Sequence, residues 1–165
     1  MGHVIYKRAN ILEPVHASYI AGLIDGEGTV TLTRLSRNRQ RGLAVTISNT
    51  ERDILEHVFR LIGVGKITNK RRSKSHHVPS YTYQITNRQA LDLLKQICPY
   101  MRSHKSDRAR LAVCQYVKLT PRNGRYTIDQ LRERDKFVRQ FFAIRPVVDN
   151  HQETSFVISS SIALP

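Results

Sequence analysis

Two carboxylates, Asp25 and Glu27, close the stretch Tyr19-Ile20-Ala21-Gly22-Leu23-Ile24-Asp25-Gly26-Glu27-Gly28. Ile20, Leu23 and Ile24 recur at helical spacing, so the stretch reads as a helix that ends in a turn. Gly22 and Gly26 lie four apart and share a helix face that carries no side chain. Each costs about 1 kcal/mol relative to Ala in a helix interior, and such a face lets another backbone approach closely. The acids sit at the helix C-terminus, where the macrodipole is negative and disfavours them. Any one of these features suits a core helix that closes on a Gly cap with two solvated acids; the whole string marks a site. Carboxylate oxygens are hard ligands of the kind magnesium takes. The charge of the chain says what such a site would meet. There are 27 Lys and Arg against 13 Asp and Glu, a net charge of +14 and a pI near 10.4. The excess falls in clusters between apolar-periodic segments, which describes a folded protein with a basic face and nucleic acid as its partner. A membrane surface fits less well, because no long basic amphipathic helix stands out and no apolar run reaches the roughly 18 residues of a span.

Ile20 to Gly28 resembles the signature of the LAGLIDADG homing endonuclease family. It departs at Ile20 for the first Leu, at Gly26 for the second Ala, and at Glu27 for the second Asp, which keeps the carboxylate and adds a methylene. The resemblance runs on to about residue 118. It implies two such helices packed together at the centre of the protein, with the acids at their ends binding a divalent metal, Mg2+ or Mn2+, against DNA. Glu27 is then the metal ligand and the Gly26 carbonyl a second one, while Asp25 is expected to hydrogen-bond backbone groups. Only one copy of the signature is present, so the two-helix centre needs two chains, with Gly22 and Gly26 at the interface of a homodimer. A monomer packing these glycines on an internal helix is the alternative. Pro99-Tyr100-Met101-Arg102-Ser103-His104-Lys105 is similar to the family segment that bears an active-site lysine. Lys105 is the match, with His104 one residue away in register. Ser48 stands where family members often place a Gln at the end of the second strand, with Asn49 beside it, and Arg52 falls near a basic family position. The implied chemistry is phosphodiester hydrolysis, for which a divalent metal polarises the phosphate and lowers the pKa of water, and a nearby cation stabilises developing charge.

These residues need a scaffold, and the hydrophobic pattern supplies one. Pro14 suits a first helical turn, and the helix runs to about Asp25. Thr29 to about Asn38 reads as a strand, with Val30 and Leu32 on one face and Thr29, Thr31, Thr33, then Leu35, Arg37 and Arg39 on the other. Gly42 reverses the chain. Leu43, Val45 and Ile47 face inward on the return strand, and Ala44, Thr46 and Ser48 outward. Thr50 is the expected cap of a helix with Ile54, Leu55, Val58, Leu61 and Ile62 as its apolar stripe. Gly63-Val64-Gly65 ends it and opens a second hairpin. There Ile67 is inward and Lys66, Thr68, Lys70 and Arg72 outward. A long basic turn follows from Ser73 to Pro79, with His76 and His77 at its tip. On the partner strand Tyr81, Tyr83 and Ile85 face inward, and Ser80, Thr82 and Gln84 outward. Asn87 is expected to cap the next helix, which carries Ala90, Leu91, Leu94 and Ile97 and stops at Pro99. Two further helices follow, at about 106–117 and from a Thr127/Gln130 capping box to about Phe142.

The expected fold is therefore α+β, an αββαββα core with C-terminal helices. It has a four-stranded antiparallel sheet, saddle-like by the resemblance, with helices on one face and a polar, basic face open on the other. Residues 1–146 read as one domain and 147–165 as a tail with no functional reading. A strand of roughly ten residues spans about 33 Å, and DNA advances about 3.4 Å per base on each strand. One chain can thus track a half-site of about ten base pairs in the major groove, which admits a two-stranded ribbon. Arg37, Arg39, Lys66, Lys70 and Arg72 are candidates for guanine edges or phosphates, and Thr31, Thr33, Thr46, Thr68, Thr82 and Gln84 for base contacts. The resemblance further implies an intron- or intein-carried gene, a long near-palindromic target, and cleavage across the minor groove that leaves 3′ overhangs. An intron-RNA-binding maturase and a non-cleaving DNA-binding regulator are the alternatives on the same scaffold. Cys98 and Cys114 are too few for a disulfide framework and are expected as buried thiols in a reducing compartment. With no secretory apolar core near the N-terminus, the expected location is intracellular, in a prokaryotic cytoplasm or an organelle.

Overall fold

The structure is a computed structural model that describes residues 7–34, 40–69, 79–121 and 124–147. Pro14 opens the first helix, α1 (Pro14–Glu27), where its missing N–H costs nothing. The chain passes from α1 straight into β1 (Gly28–Thr33) and returns as β2 (Gly42–Asn49). Then come α2 (Arg52–Ile62), β3 (Lys66–Asn69), β4 (Tyr81–Thr86), α3 (Asn87–Ile97), a 3-10 turn at Cys98–Tyr100, α4 (His104–Gln115) and α5 (Ile128–Ala143). The strands form one antiparallel sheet in the order β1-β2-β4-β3, so the second strands of the two hairpins meet at its centre. Helices α1, α2 and α3 cover one face; α4 packs on β1 and α3, and α5 on α4. The fold is α+β, as expected.

Strand periodicity decides what lies between the layers. Val30, Leu32, Leu43, Val45, Ile47, Tyr83 and Ile85 point under the helices and are buried against Ile20, Ile24, Leu55, Val58, Ile62, Leu91, Leu94 and Ile97. The alternate residues form rows across the open face. The register aligns Thr29, Thr46, Gln84 and Lys66, and one step away Ser48, Thr82 and Thr68. Ala44 belongs to this face yet is buried, being small and flanked by Thr31 and Thr86 on its two neighbours. Among the described strand residues the only cation is Lys66, so the described open face is polar and hydroxyl-rich rather than strongly basic. Leu35, Arg37, Arg39, Lys70, Arg72, His76 and His77 lie outside the described residues, as does the tail from 148.

Several local expectations need correction. Gly42 is not in the turn: it is a strand residue paired with Thr33. Thr50 does not cap α2, which starts at Arg52; the Asn49 side chain instead accepts from the Glu51 N–H at 2.9 Å. Asn87 is not an N-cap. It is the first residue of α3, at φ 54°, and its side chain accepts from the Tyr116 hydroxyl at 3.1 Å. Helix α4 starts two residues before the expected 106 because Ser103 supplies the cap, accepting from the Lys105 N–H. Cys98 is half-buried and Cys114 exposed, since α4 turns Ala109, Ala112 and Tyr116 inward and leaves Cys114 on the outer side.

Elsewhere the local chemistry is as read. Gly63 closes α2 in the left-handed conformation, φ 75°. Thr127 and Gln130 form a complete capping box at the start of α5. Loss of such a cap costs about 1 kcal/mol, so Thr127→Ala is expected to lower the unfolding free energy by that amount in a urea titration, with Thr127→Ser near wild type. No sequence signal announced Arg134. Its guanidinium is buried on α5 and donates to the carbonyls of Leu119 and Arg41 and to the Thr120 hydroxyl, between the rings of Tyr116 and Tyr126. It ties α5 to the far end of the sheet. Among the described residues, no helix is long and apolar enough to cross a membrane.

Candidate active site and nucleic-acid interface

The last turn of α1 meets the first turn of α4, and each supplies what the other lacks. A helix C-terminus leaves carbonyls unpaired at the negative end of the dipole. Lys105, in the first turn of α4, donates its ammonium to the Ile24 carbonyl at 3.0 Å and the Asp25 carbonyl at 2.9 Å. In return the Asp25 carboxylate accepts from the Arg102 N–H (2.6 Å), the Ser103 N–H (3.3 Å) and the Ser103 hydroxyl (2.5 Å). Asp25 is therefore compensated from the neighbouring helix.

The electrostatics follow. Burial alone would raise the Asp25 pKa, but the Ser103 hydroxyl, the two amides and the Lys105 charge outweigh it and hold the carboxyl below its ordinary value. Burial lowers the Lys105 pKa, Arg108 lowers it further, and the charges of Asp25 and Glu27 pull it back up without restoring it. His104 is also held below its ordinary value, by burial and then by Arg108 and Lys105, against Asp25 and Asp107. A carboxyl depressed by folding stabilises the fold above its unfolded pKa and loses that contribution as pH falls through the folded one. Asp25→Asn is thus expected to be less stable than wild type by a constant margin above about pH 5. That margin should narrow as pH drops below the ordinary carboxyl value near 4, as thermal unfolding followed from pH 7 to 2 will read.

Glu27 differs from Asp25. It is exposed and makes no hydrogen bond or ion pair with the described residues, although its charge reaches Lys105. Of the two acids it is the one with oxygens to offer. Among the described residues no three His, Cys, Asp or Glu side chains converge to hold a metal ion. A cation at Glu27 would draw on its carboxylate, on the Gly26 carbonyl, and on oxygens from outside the chain. That donor set is all hard oxygen, which suits magnesium and its habit of keeping water ligands.

Gly28 fixes how this corner joins the sheet. Its N–H closes α1 on the Ile24 carbonyl, and it pairs with Ile47 as the first residue of β1. A Cβ there would lie 2.6 Å from the Ile24 Cα and 3.0 Å from the Thr46 carbonyl oxygen, so only glycine fits. The same register sets Ser48, one residue past Ile47, beside the helix–strand junction. The Ser48 hydroxyl shares a 2.9 Å hydrogen bond with Thr82. Arg52 turns elsewhere, pairing with Glu56 at 2.7 Å and lying over the Tyr81 ring. The structure thus brings Gly26, Glu27 and Lys105 together, with Ser48 at the adjoining strand end and Arg52 engaged on α2. Thr31, Thr33, Thr46, Lys66, Thr68, Thr82 and Gln84 share the open face of the sheet. The hydrophobic pattern alone does not single out Ser103, because it places the helix start at 106; a Ser just ahead of a charged first turn is the signal that does.

Among the described residues the outer face of α1 is sparsely covered, with Tyr19 meeting the His57 ring edge-on at 5.8 Å. Gly22 and Gly26 are exposed, and a Cβ at either would meet nothing within 4 Å. Val15 and Tyr19 continue the same stripe, 64% and 44% exposed.

Comparison with known proteins gives a consistent picture. The family model described as LAGLIDADG-like domain matches residues 14–98. No curated protein matches the chain by sequence. Among solved structures, the homing endonuclease I-CvuI, in complex with the I-CreI target in the presence of 2 mM Mg with the DNA not cleaved, is 19% identical. The match covers 85% of this chain and 86% of that one, with a TM-score of 0.64. An archaeal intron-encoded homing endonuclease complexed with DNA is 17% identical over 81% and 86% of the two chains, with a TM-score of 0.55. I-GzeII, in complex with its DNA target, is 17% identical; the match covers 79% of this chain but 44% of that one, with a TM-score of 0.57. At these identities the likeness is one of fold.

Proposed function

The chain belongs to the LAGLIDADG-like domain family, and on that premise we propose that it is a divalent-metal-dependent DNA endonuclease. It acts as a homodimer on a long target with two-fold related halves. The observation that carries this reading is the division of labour at the end of α1. Asp25 is engaged in holding two helices together, while Glu27 is exposed, has no partner among the described residues, and lies within reach of the fixed Lys105 ammonium.

In this reading the Glu27 carboxylate and the Gly26 carbonyl hold Mg2+ or Mn2+. When bound, the metal lowers the pKa of water and polarises the phosphate. Lys105 has three N–H groups, and two are on α1 carbonyls; the third is left for a phosphate oxygen, whose developing charge it stabilises. Ser48 offers a hydroxyl at the strand end for ordering water, and Arg52 a cation at the start of α2. The hydroxyl rows of the sheet and Gln84 read base edges, and Lys66, with Arg37, Arg39, Lys70 and Arg72, supplies cations for phosphates or guanines. The stripe of Val15, Tyr19, Gly22 and Gly26 on α1 receives the second chain, and each Glu27 serves one strand. Cleavage across the minor groove with 3′ overhangs, and an intron- or intein-carried gene, complete the proposal.

The test is cleavage of a randomised duplex library in magnesium with the cut ends sequenced. Discrete ends around a two-fold related consensus are expected. Enrichment of a consensus duplex left uncut would make the protein a DNA-binding regulator. Binding of intron RNA with stimulated splicing and no DNA cutting would make it a maturase.

A further inference from the structure

We propose that Ser103 is a positioning residue: its hydroxyl links the Asp25 carboxylate to the Lys105 backbone and thereby sets where the Lys105 ammonium stands beside Glu27. For its consequence on cleavage this rests on the endonuclease reading; the placement of Lys105 does not. Ser103 Oγ donates to Asp25 Oδ1 at 2.5 Å and accepts from the Lys105 N–H at 3.3 Å, and the Ser103 N–H reaches the same Asp25 oxygen at 3.3 Å. The one hydroxyl therefore joins the carboxylate at the end of α1 to the backbone of the lysine that reaches back to α1. Its single proton is engaged on Asp25, so it can accept but not donate toward Lys105. Ser103 is also the N-cap of α4, which fixes the direction in which the first turn leaves.

The lysine stem is the part that needs this. A lysine side chain is long and flexible, and ordering it costs entropy. Here the stem is held at both ends, by its own N–H on Ser103 and by its ammonium on the Ile24 and Asp25 carbonyls. Without the hydroxyl, Asp25 loses its shortest contact and the Lys105 N–H its acceptor, so the two helix ends can slip. Displacing a charge-stabilising group by about 1 Å can cost about 100-fold in rate. The role is one of position: Ser103 acts through Lys105 and Asp25 and is not a catalytic residue.

The experiment uses the full chain and two readouts. The first needs neither metal nor DNA: limited acylation with acetic anhydride, quantified by mass spectrometry for Lys105 against exposed Lys95. Ser103→Ala is expected to raise relative Lys105 acylation at least about threefold by removing the restraint on the stem, and Ser103→Thr to restore protection. The second is single-turnover cleavage of the enriched duplex. Ser103→Ala should cut about 10- to 100-fold more slowly with DNA affinity unchanged, and Ser103→Thr should recover the rate. If Ser103→Ala does not fold, Ser103→Gly takes its place, since Gly is nearly as good an N-cap. Unchanged Lys105 acylation in a folded hydroxyl-less variant overturns the proposal, whatever cleavage does. So does a raised acylation accompanied by wild-type cleavage, because position would then not matter to the reaction. If the wild-type chain cuts no DNA while the acylation shift is found, the endonuclease reading fails alone and the placement of Lys105 by Ser103 stands.

Discussion

Glu27→Ala is expected to cripple double-strand cutting, with single-turnover rates about 1,000-fold below wild type, while DNA binding persists. The magnitude is the upper end of what loss of one preorganised charge-stabilising group costs, and among the described residues Glu27 is the exposed, unpartnered carboxylate at the α1 end. Folding should not suffer. The side chain has no hydrogen-bonding partner among the described residues, and removing an acid from a helix C-terminus relieves the macrodipole. Affinity for DNA should hold or rise slightly, since affinity comes from cations on phosphates and the lost group is an anion. Cleavage of the consensus duplex and gel-shift titration of the same duplex check the two halves separately. Near-wild-type cutting would remove Glu27 from the chemistry, and joint loss of binding and cutting would make it structural.

Gly22→Leu is expected to separate assembly from folding. In the chain itself a Cβ at Gly22 meets nothing within 4 Å, and Leu is a better helix former than Gly by somewhat under about 1 kcal/mol. The isolated chain should therefore be as stable as wild type or slightly more so. Between two α1 helices the same side chain stands where backbones need to approach, as small residues allow at close helix crossings. Light scattering should give twice 19.0 kDa for wild type and 19.0 kDa for the variant, with circular dichroism unchanged and double-strand breaks lost. A dimeric Gly22→Leu would move the interface elsewhere, and a wild-type chain monomeric at working concentrations would end the homodimer proposal.

What was legible in the sequence was local. The alternation of Val30, Leu32, Leu43, Val45 and Ile47 is a period-two signal that a half-buried strand must carry, and the core faces came out as read. The Thr127/Gln130 box is a three-residue relation complete in itself. The candidate site was legible at Glu27 and Gly26 because the signature is contiguous. The meeting of Lys105 with Ile24 and Asp25 spans about 80 residues and came only through family likeness. What was missed depends on distant partners. Asn87 looks like a cap by type, but the Tyr116 hydroxyl decides its orientation. Arg134 looks like a surface cation, but the carbonyls around it come from Leu119 and from Arg41, the residue before β2. Ser103 was one of several polar residues before a helix, and only the position of Asp25 singles it out.

The junction at Gly28 has no linker: the residue that closes α1 is also the first rung of β1. In the proposed dimer the helices between the subunits and the surfaces that meet DNA are therefore geared together without slack. Turning α1 against its partner turns the sheet by the same angle. The two half-sites are then held at one separation and one relative twist. Inserting a base pair between them moves one half by about 3.4 Å and rotates it by about 35°, which a rigid pair of sheets cannot follow. Such a protein works as a ruler as well as a reader. The proposed dimer would reject sites whose halves are correct in sequence but wrongly spaced, with no side chain assigned to that task.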